Sequence, residues 1–166
     1  MIFTPTFWLK NVMQIDKRFL KKNRVRALVL DMDNTLSMHD DPAAEDGVLE
    51  WLDEMRRLGV KMRVVSNNNA RRVAPLAKAL GLKYTANGAK PLTFGVNRAV
   101  KAMGVLKSET LVVGDQIFTD VMAGNLAGIR TVLVEPFHLE NKWTFKLKRR
   151  VESMVFHRDY RNLNVK

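Results

Sequence analysis

Five short apolar runs constrain this chain more than any other feature. They fall at about residues 26–31, 61–66, 82–85, 110–114 and 130–134. Each is too short for an ordinary helix and, bounded by turn residues, reads as a strand. Between them lie stretches with helical spacing at about 47–58, 70–80, 92–103 and 118–127, with Gly59, Gly81, Gly104 and Gly128 placed to stop them. Strand and helix in alternation predict an α/β fold whose parallel sheet is covered on both faces. Further basic, amphipathic helices are expected at about 7–21 and 142–157. The 166 residues, 46% of them hydrophobic, suffice for one domain with its own core. No repeat, low-complexity tract or linker divides them, so a single domain is expected over 1–166.

Chemistry-bearing residues gather where these strands end, which is where open α/β sheets bind ligands. The first strand runs into Asp31-Met32-Asp33-Asn34-Thr35. Residues i and i+2 near a strand end point the same way, so Asp31 and Asp33 can face one centre. Two acids that close need a shared proton or a cation between them. A divalent metal with oxygen ligands meets that need. The same residues also suit a solvated turn, since Asp and Asn both favour turns. The second strand ends in Ser66-Asn67-Asn68-Asn69, and the fourth in Gly114-Asp115, with Asp120 five residues on. Lys90 sits in the turn-rich Gly88-Ala89-Lys90-Pro91. Each has a plainer use: Ser66 as the cap of the helix at 70–80, Asp120 at the start of its own helix, Lys90 as a surface lysine. Asn34 reads as a turn residue and His39 as a bystander. The three tryptophans read as packing or interface residues. Together, the acids, the hydroxyl and the cation are the parts that hold a metal and a phosphoryl group.

At this point the sequence resembles the haloacid dehalogenase superfamily of phosphatases. Asp31-Met-Asp33-Asn-Thr35 matches its DxDxT motif, Ser66 the second motif, Lys90 the third, and Gly114-Asp115-Gln-Ile-Phe-Thr-Asp120 the GDxxxxD form of the fourth. The four occur in the family's order, on the expected elements, over roughly residues 25–136. The DxDNT form and the flanks resemble the small YqeG-type subfamily (IIIA). That group is similar to the phosphatidylglycerophosphate phosphatases of mitochondria and plastids. The resemblance implies a Rossmann-like three-layer sandwich with a five-stranded parallel sheet in the order 5-4-1-2-3. It implies Asp31 as nucleophile, Asp33 as acid and base, and Ser66 and Lys90 as phosphate-holding groups. It also implies Mg²⁺ on Asp31, the Asp33 backbone carbonyl and Asp115, with Thr35, Asn67, Gly114 and Asp120 in support. The intervals from Asp31 to Ser66 and from Ser66 to Lys90 leave no room for an inserted cap domain, so an open site is expected.

Charge is unevenly placed. The net +11 resides in the ends: residues 1–26 and 142–166 each carry +6, while 27–141 carry −1. Such asymmetry points to a polyanionic partner, an anionic membrane surface or nucleic acid. A Mg²⁺-dependent phosphatase of a phosphate monoester is the favoured reading, with a lipid head group such as phosphatidylglycerophosphate one candidate substrate and a small soluble metabolite another. An RNA- or ribosome-associated binding protein with a secondary or vestigial site is the alternative, though no RNA-binding signature is present. A receiver domain shares a strand-end aspartate and a lysine but not the DxDxT spacing with a second acidic motif. The absence of cysteine excludes disulfides, thiol catalysis and thiolate metal sites. No stretch approaches the ~20 apolar residues of a membrane span. Lys10, Asn11 and Gln14 interrupt the apolar N-terminus, so no secretory leader is expected. A cytoplasmic location, peripheral on the inner membrane face, is the corresponding expectation.

Overall fold

The structure, a computed structural model, describes residues 1–37 and 44–136. Its strands are β1 (Phe7–Leu9), β2 (Ala27–Leu30), β3 (Lys61–Val65), β4 (Lys83–Thr85), β5 (Thr110–Gly114) and β6 (Arg130–Val134). Its α-helices are α1 (Lys17–Asn23), α2 (Val48–Arg57), α3 (Ala70–Ala79), α4 (Phe94–Met103) and α5 (Met122–Leu126). The strands pair in parallel in the order β1-β6-β5-β2-β3-β4. The five strands expected from sequence therefore stand in the expected order, and β1 adds a sixth at the edge beside β6.

Alternate residues of the central strands feed two separate cores, as the period of two demands. Leu28, Leu30, Val64, Leu111 and Val113 face the helices α1, α2 and α3. Val29, Val65 and Val112 face α4 and α5 through Val96, Ala99, Val100, Ala123 and Ala127. The result is helices, sheet, helices: the three-layer sandwich.

The N-terminal segment departs from expectation. Instead of one helix over 7–21, the chain forms β1, a 3-10 turn at Val12–Gln14, and α1. Two side chains divide it: Asn11 Oδ1 accepts from Met13 N (3.1 Å), and Asp16 Oδ1 accepts from Phe19 N (2.7 Å), each starting a new turn. The open edge of β6 supplies the rest, since its register with β1 runs from Phe7 opposite Val132 to Leu9 opposite Val134. Val12, Ile15, Phe19 and Leu20 are buried in the main core, and Trp51 Nε1 donates to Ile15 O (2.9 Å). The expected amphipathic N-terminal helix is corrected to a built-in wrap whose apolar side is core. The helix expected at 142–157 lies outside the described residues. Among the described residues, no helix is long and apolar enough to cross a membrane.

The helix expected at 118–127 also differs. It begins as one wide π turn at Ile117–Val121 before tightening into α5. Such turns recur at functional sites. Here it carries Asp120 back over the end of β5.

Candidate active site

Parallel βα units place all strand carboxyl ends on one side, and the chemistry-bearing residues follow at once. Asp31 comes directly after β2, Ser66 after β3 and Asp115 after β5. Asp31 N donates to Val113 O (2.8 Å), which fixes the first loop against β5. That loop then turns through Asn34, at φ 58°, with Asn34 N donating to Ser37 O (2.7 Å). Thr35 is buried inside it, and its Oγ1 has no hydrogen-bond partner among the described residues.

Lys90 is the hub. Its Nζ lies 2.6 Å from Asp31 Oδ1 and 2.6 Å from Asp120 Oδ1, and its side chain is only 4% exposed. The plainer surface-lysine reading is thereby overturned. Its backbone is held by Asn67, whose Nδ2 donates to Lys90 O (2.8 Å) and whose Oδ1 accepts from Lys90 N (2.7 Å). The turn that delivers it places Asn87 and Ala89 at positive φ, 50° and 54°. For alanine that conformation is unfavourable and needs the surrounding contacts to hold it.

Carboxylate oxygens of Asp31, Asp115 and Asp120 all lie within 4.8 Å of one another. Close approach is possible because residue 114 is glycine: a Cβ there would meet Asp120 Cγ at 2.3 Å. Asp120 Oδ2 accepts from Gln116 N (3.1 Å), which orients it. Three carboxylates against one ammonium leave two negative charges, the charge a divalent cation balances. The donors are hard carboxylate oxygens, so the set fits a hard cation. These residues can hold a metal. Asp120, expected only as support, is one of the group.

Electrostatics follow from that crowding. Burial pushes the Asp31 carboxyl up to about 7, with Asp120 and Asp115 adding to the rise and Lys90 opposing it. Burial alone would lower the Lys90 ammonium; Asp120 and Asp31 outweigh it and hold its pKa above the ordinary lysine value. Lys90 is therefore a fixed cation at any working pH.

Asp33 stands apart from the three-acid group. Its Oδ2 accepts from Asn68 Nδ2 (2.8 Å), and Arg72 Nη2 lies 3.6 Å from Oδ1. Sequence reasoning missed Asn68 and Arg72 as partners; the polar run Ser66–Asn69 directly after a strand marks Asn68 as a strand-end residue but does not assign it to Asp33, and nothing in the sequence marks Arg72. Ser66 is buried, and its Oγ accepts from Asn68 N (3.1 Å). It does not cap α3: Asn69 does, accepting from Arg72 N (3.1 Å). The structure gathers Asp31, Lys90, Asp115 and Asp120 at one point, with Asn67 holding the Lys90 backbone, Gly114 beside Asp120, and Asp33 and Ser66 linked through Asn68.

Known proteins resemble this chain in sequence and in fold. The haloacid dehalogenase-like hydrolase family matches residues 37–128. The chain is 37% identical over 153 residues to a probable phosphatase, YqeG, of Bacillus subtilis, covering 92% of this chain and 89% of that one. It is 26% identical over 164 residues to a phosphatidylglycerophosphate phosphatase of Arabidopsis thaliana chloroplasts and mitochondria. There it covers 93% of this chain and spans about half, 47%, of the relative. Among solved structures, 4-nitrophenylphosphatase of Thermotoga maritima superposes with a TM-score of 0.61 at 14% identity, covering 72% of this chain and 89% of that one. NagD of E. coli superposes with a TM-score of 0.57 at 14% identity, covering 66% and 87%. By the family match and the Bacillus relative, the chain belongs to the haloacid dehalogenase-like hydrolases and is a phosphatase of that family.

Proposed function

We propose that this phosphatase hydrolyses a phosphate monoester through an aspartyl-phosphate on Asp31, with Mg²⁺ as its metal. The contact of Lys90 with both Asp31 and Asp120 carries the reading: it puts a permanent cation beside the attacking carboxylate. Asp31 Oδ attacks phosphorus in line, and the ester oxygen leaves. Asp33, oriented by Asn68 and outside the three-acid group, donates a proton to that oxygen. It then takes a proton from the water that hydrolyses the acyl phosphate. Ser66 Oγ and Lys90 Nζ hold phosphoryl oxygens, and Lys90 opposes the charge that grows on them. Bound Mg²⁺ supplies charge neutralisation between the two anions that must meet.

The substrate class we infer is a lipid phosphate monoester such as phosphatidylglycerophosphate, met by a protein peripheral on the cytoplasmic membrane face. Two features support it. The Arabidopsis relative is a phosphatidylglycerophosphate phosphatase. Between Asp31 and Lys90 the described residues form only α2, β3, α3 and β4, so they contain no cap domain over the strand ends. The test is a panel of soluble and lipid phosphate esters with purified protein and Mg²⁺. In that panel Asp33→Asn is expected to keep attack on esters with good leaving groups while dephosphorylation slows. Intact-mass measurement should then find a phosphorylated protein. Equal slowing of good and poor leaving groups, with no phosphorylated form, would remove Asp33 from the acid–base role.

One observation favours a second reading, binding of RNA. At the opposite end of the sheet, Lys17, Lys21, Arg24 and Arg26 line one groove with Glu109 as its acid. Lys61 lies in the adjoining groove. Phosphate contacts from such a surface would be salt-sensitive and indifferent to sequence. A gel-shift titration with single-stranded RNA is expected to show micromolar binding lost at high salt; no shift at low salt excludes this reading.

A further inference from the structure

Large apolar side chains stand exposed at the catalytic end of the sheet. Leu92 and Phe94 follow Lys90 by two and four residues and are 55% and 69% exposed. Phe118, two residues before Asp120, is 39% exposed. Because Lys90 and Asp120 are in contact, all three lie within a few residues of one point at the mouth of the site. The core does not use Leu92 or Phe94: α4 buries Gly95, Val96, Ala99 and Val100 and leaves Phe94 outside, while Phe118 keeps one side on Phe3 (ring centroids 5.6 Å) and the other open. Single exposed apolar residues are normal, whereas several around one opening mark an interaction surface.

Charge identifies what the surface meets. Phe94 begins α4, and Arg98 and Lys101 continue its exposed line at the fourth and seventh following positions. At 1.5 Å per residue they stand about 6 Å and 10 Å behind Phe94, away from the catalytic end. Arg71, exposed in the first turn of α3, lies at the same end as Phe94. An apolar tip with cations one to two turns back suits an anionic bilayer: the tip enters the acyl boundary and the cations meet the phosphate layer. A neutral protein groove would leave those cations without use.

We propose that Leu92, Phe94 and Phe118 form an interfacial rim that seats the open site on an anionic lipid surface, with Arg98 and Lys101 at the level of the head-group phosphates and Arg71 beside the rim. This deepens the lipid-ester reading and rests on it. It also moves membrane contact away from the N-terminal stripe, which is core, to the mouth of the site. A head group held in that plane reaches Asp31 without leaving the bilayer.

The chain has no cysteine, so Phe94→Cys accepts a single environment-sensitive fluorophore, and Leu106→Cys, at the other end of the sheet, serves as control. With vesicles of equal parts phosphatidylcholine and phosphatidylglycerol, the label at 94 is expected to shift to the blue and the label at 106 to stay unchanged. Vesicles of phosphatidylcholine alone should give little shift. The double variant Leu92→Ser, Phe94→Ser should bind the anionic vesicles at least ~10-fold more weakly, as expected for two apolar side chains withdrawn from burial. It should hydrolyse soluble 4-nitrophenyl phosphate as the wild type does. No shift at 94, or undiminished vesicle binding by the double variant, overturns the proposal. So does a double variant that changes only from dimer to monomer, because the rim would then be a contact between copies. Hydrolysis of phosphatidylglycerophosphate in detergent solution is scored separately: if it fails while the label at 94 still shifts, the substrate reading falls and the rim stands.

Discussion

Asp31→Asn is expected to abolish phosphate-ester hydrolysis, by at least ~100-fold in kcat, while the protein stays folded. The substitution keeps the shape of the side chain and an oxygen that can still accept from Lys90 Nζ, now 2.6 Å from Asp31 Oδ1. What it removes is the negative oxygen that forms the new bond to phosphorus. A ~100-fold loss corresponds to under ~3 kcal/mol of transition-state stabilisation, a modest demand for the loss of a nucleophile. Circular dichroism and the melting temperature should stay close to wild type, because burial pushes the Asp31 carboxyl up to about 7 and a neutral group there suits the folded state. Wild-type turnover by Asp31→Asn would end the covalent mechanism. Full wild-type activity in excess chelator would end the metal's part in it.

The parts of the fold that were legible in sequence are those where burial dictates composition. The runs at Ala27–Leu30 and Thr110–Gly114 are buried throughout, so every position must be apolar or small, and no helix could hide in so few residues. Their ends were legible too, because acids following a buried strand have few structural uses. The first 26 residues misled for a physical reason. Val12, Ile15 and Phe19 recur at helical spacing, but a chain that wraps an edge strand and then a helix layer also buries every third or fourth residue. Asn11 and Asp16 were the contrary signal, two caps inside one apparent helix. The wide turn at Ile117–Val121 was invisible because its composition is that of an ordinary helix. What accompanies it is tertiary: Asp120 lies against Gly114, and the turn is wide enough that Val121 N–H also reaches Gln116 O (3.2 Å) across five residues. Asn68 and Arg72 could not be assigned to Asp33 from sequence because the contact spans 35 residues and depends on where two loops cross.

Lys90→Met is expected to be the most damaging substitution for stability in the site, and the damage should depend on pH. Methionine fills the space but leaves the Asp31, Asp115 and Asp120 carboxylates, all within 4.8 Å, with no ammonium between them. Removing one partner of a buried ion pair costs about 3–5 kcal/mol because the remaining charge stays desolvated. The alternative for those acids is to take up protons. Asp31 is already raised to about 7 with Lys90 present and opposing the rise, so its pKa in the variant goes higher. A carboxyl whose folded pKa exceeds its unfolded value stabilises the fold fully at acid pH and loses that contribution as pH rises through the folded value. Denaturant unfolding should therefore show a small difference between variant and wild type near pH 5 and a large one near pH 8. Mg²⁺ should recover more stability in the variant than in the wild type, because it replaces the missing positive charge, yet phosphatase activity should stay at least ~100-fold down. A loss under ~1 kcal/mol that is the same at both pH values would mean that the three acids do not feel one another, and that the lysine is packing rather than the counter-charge of the site.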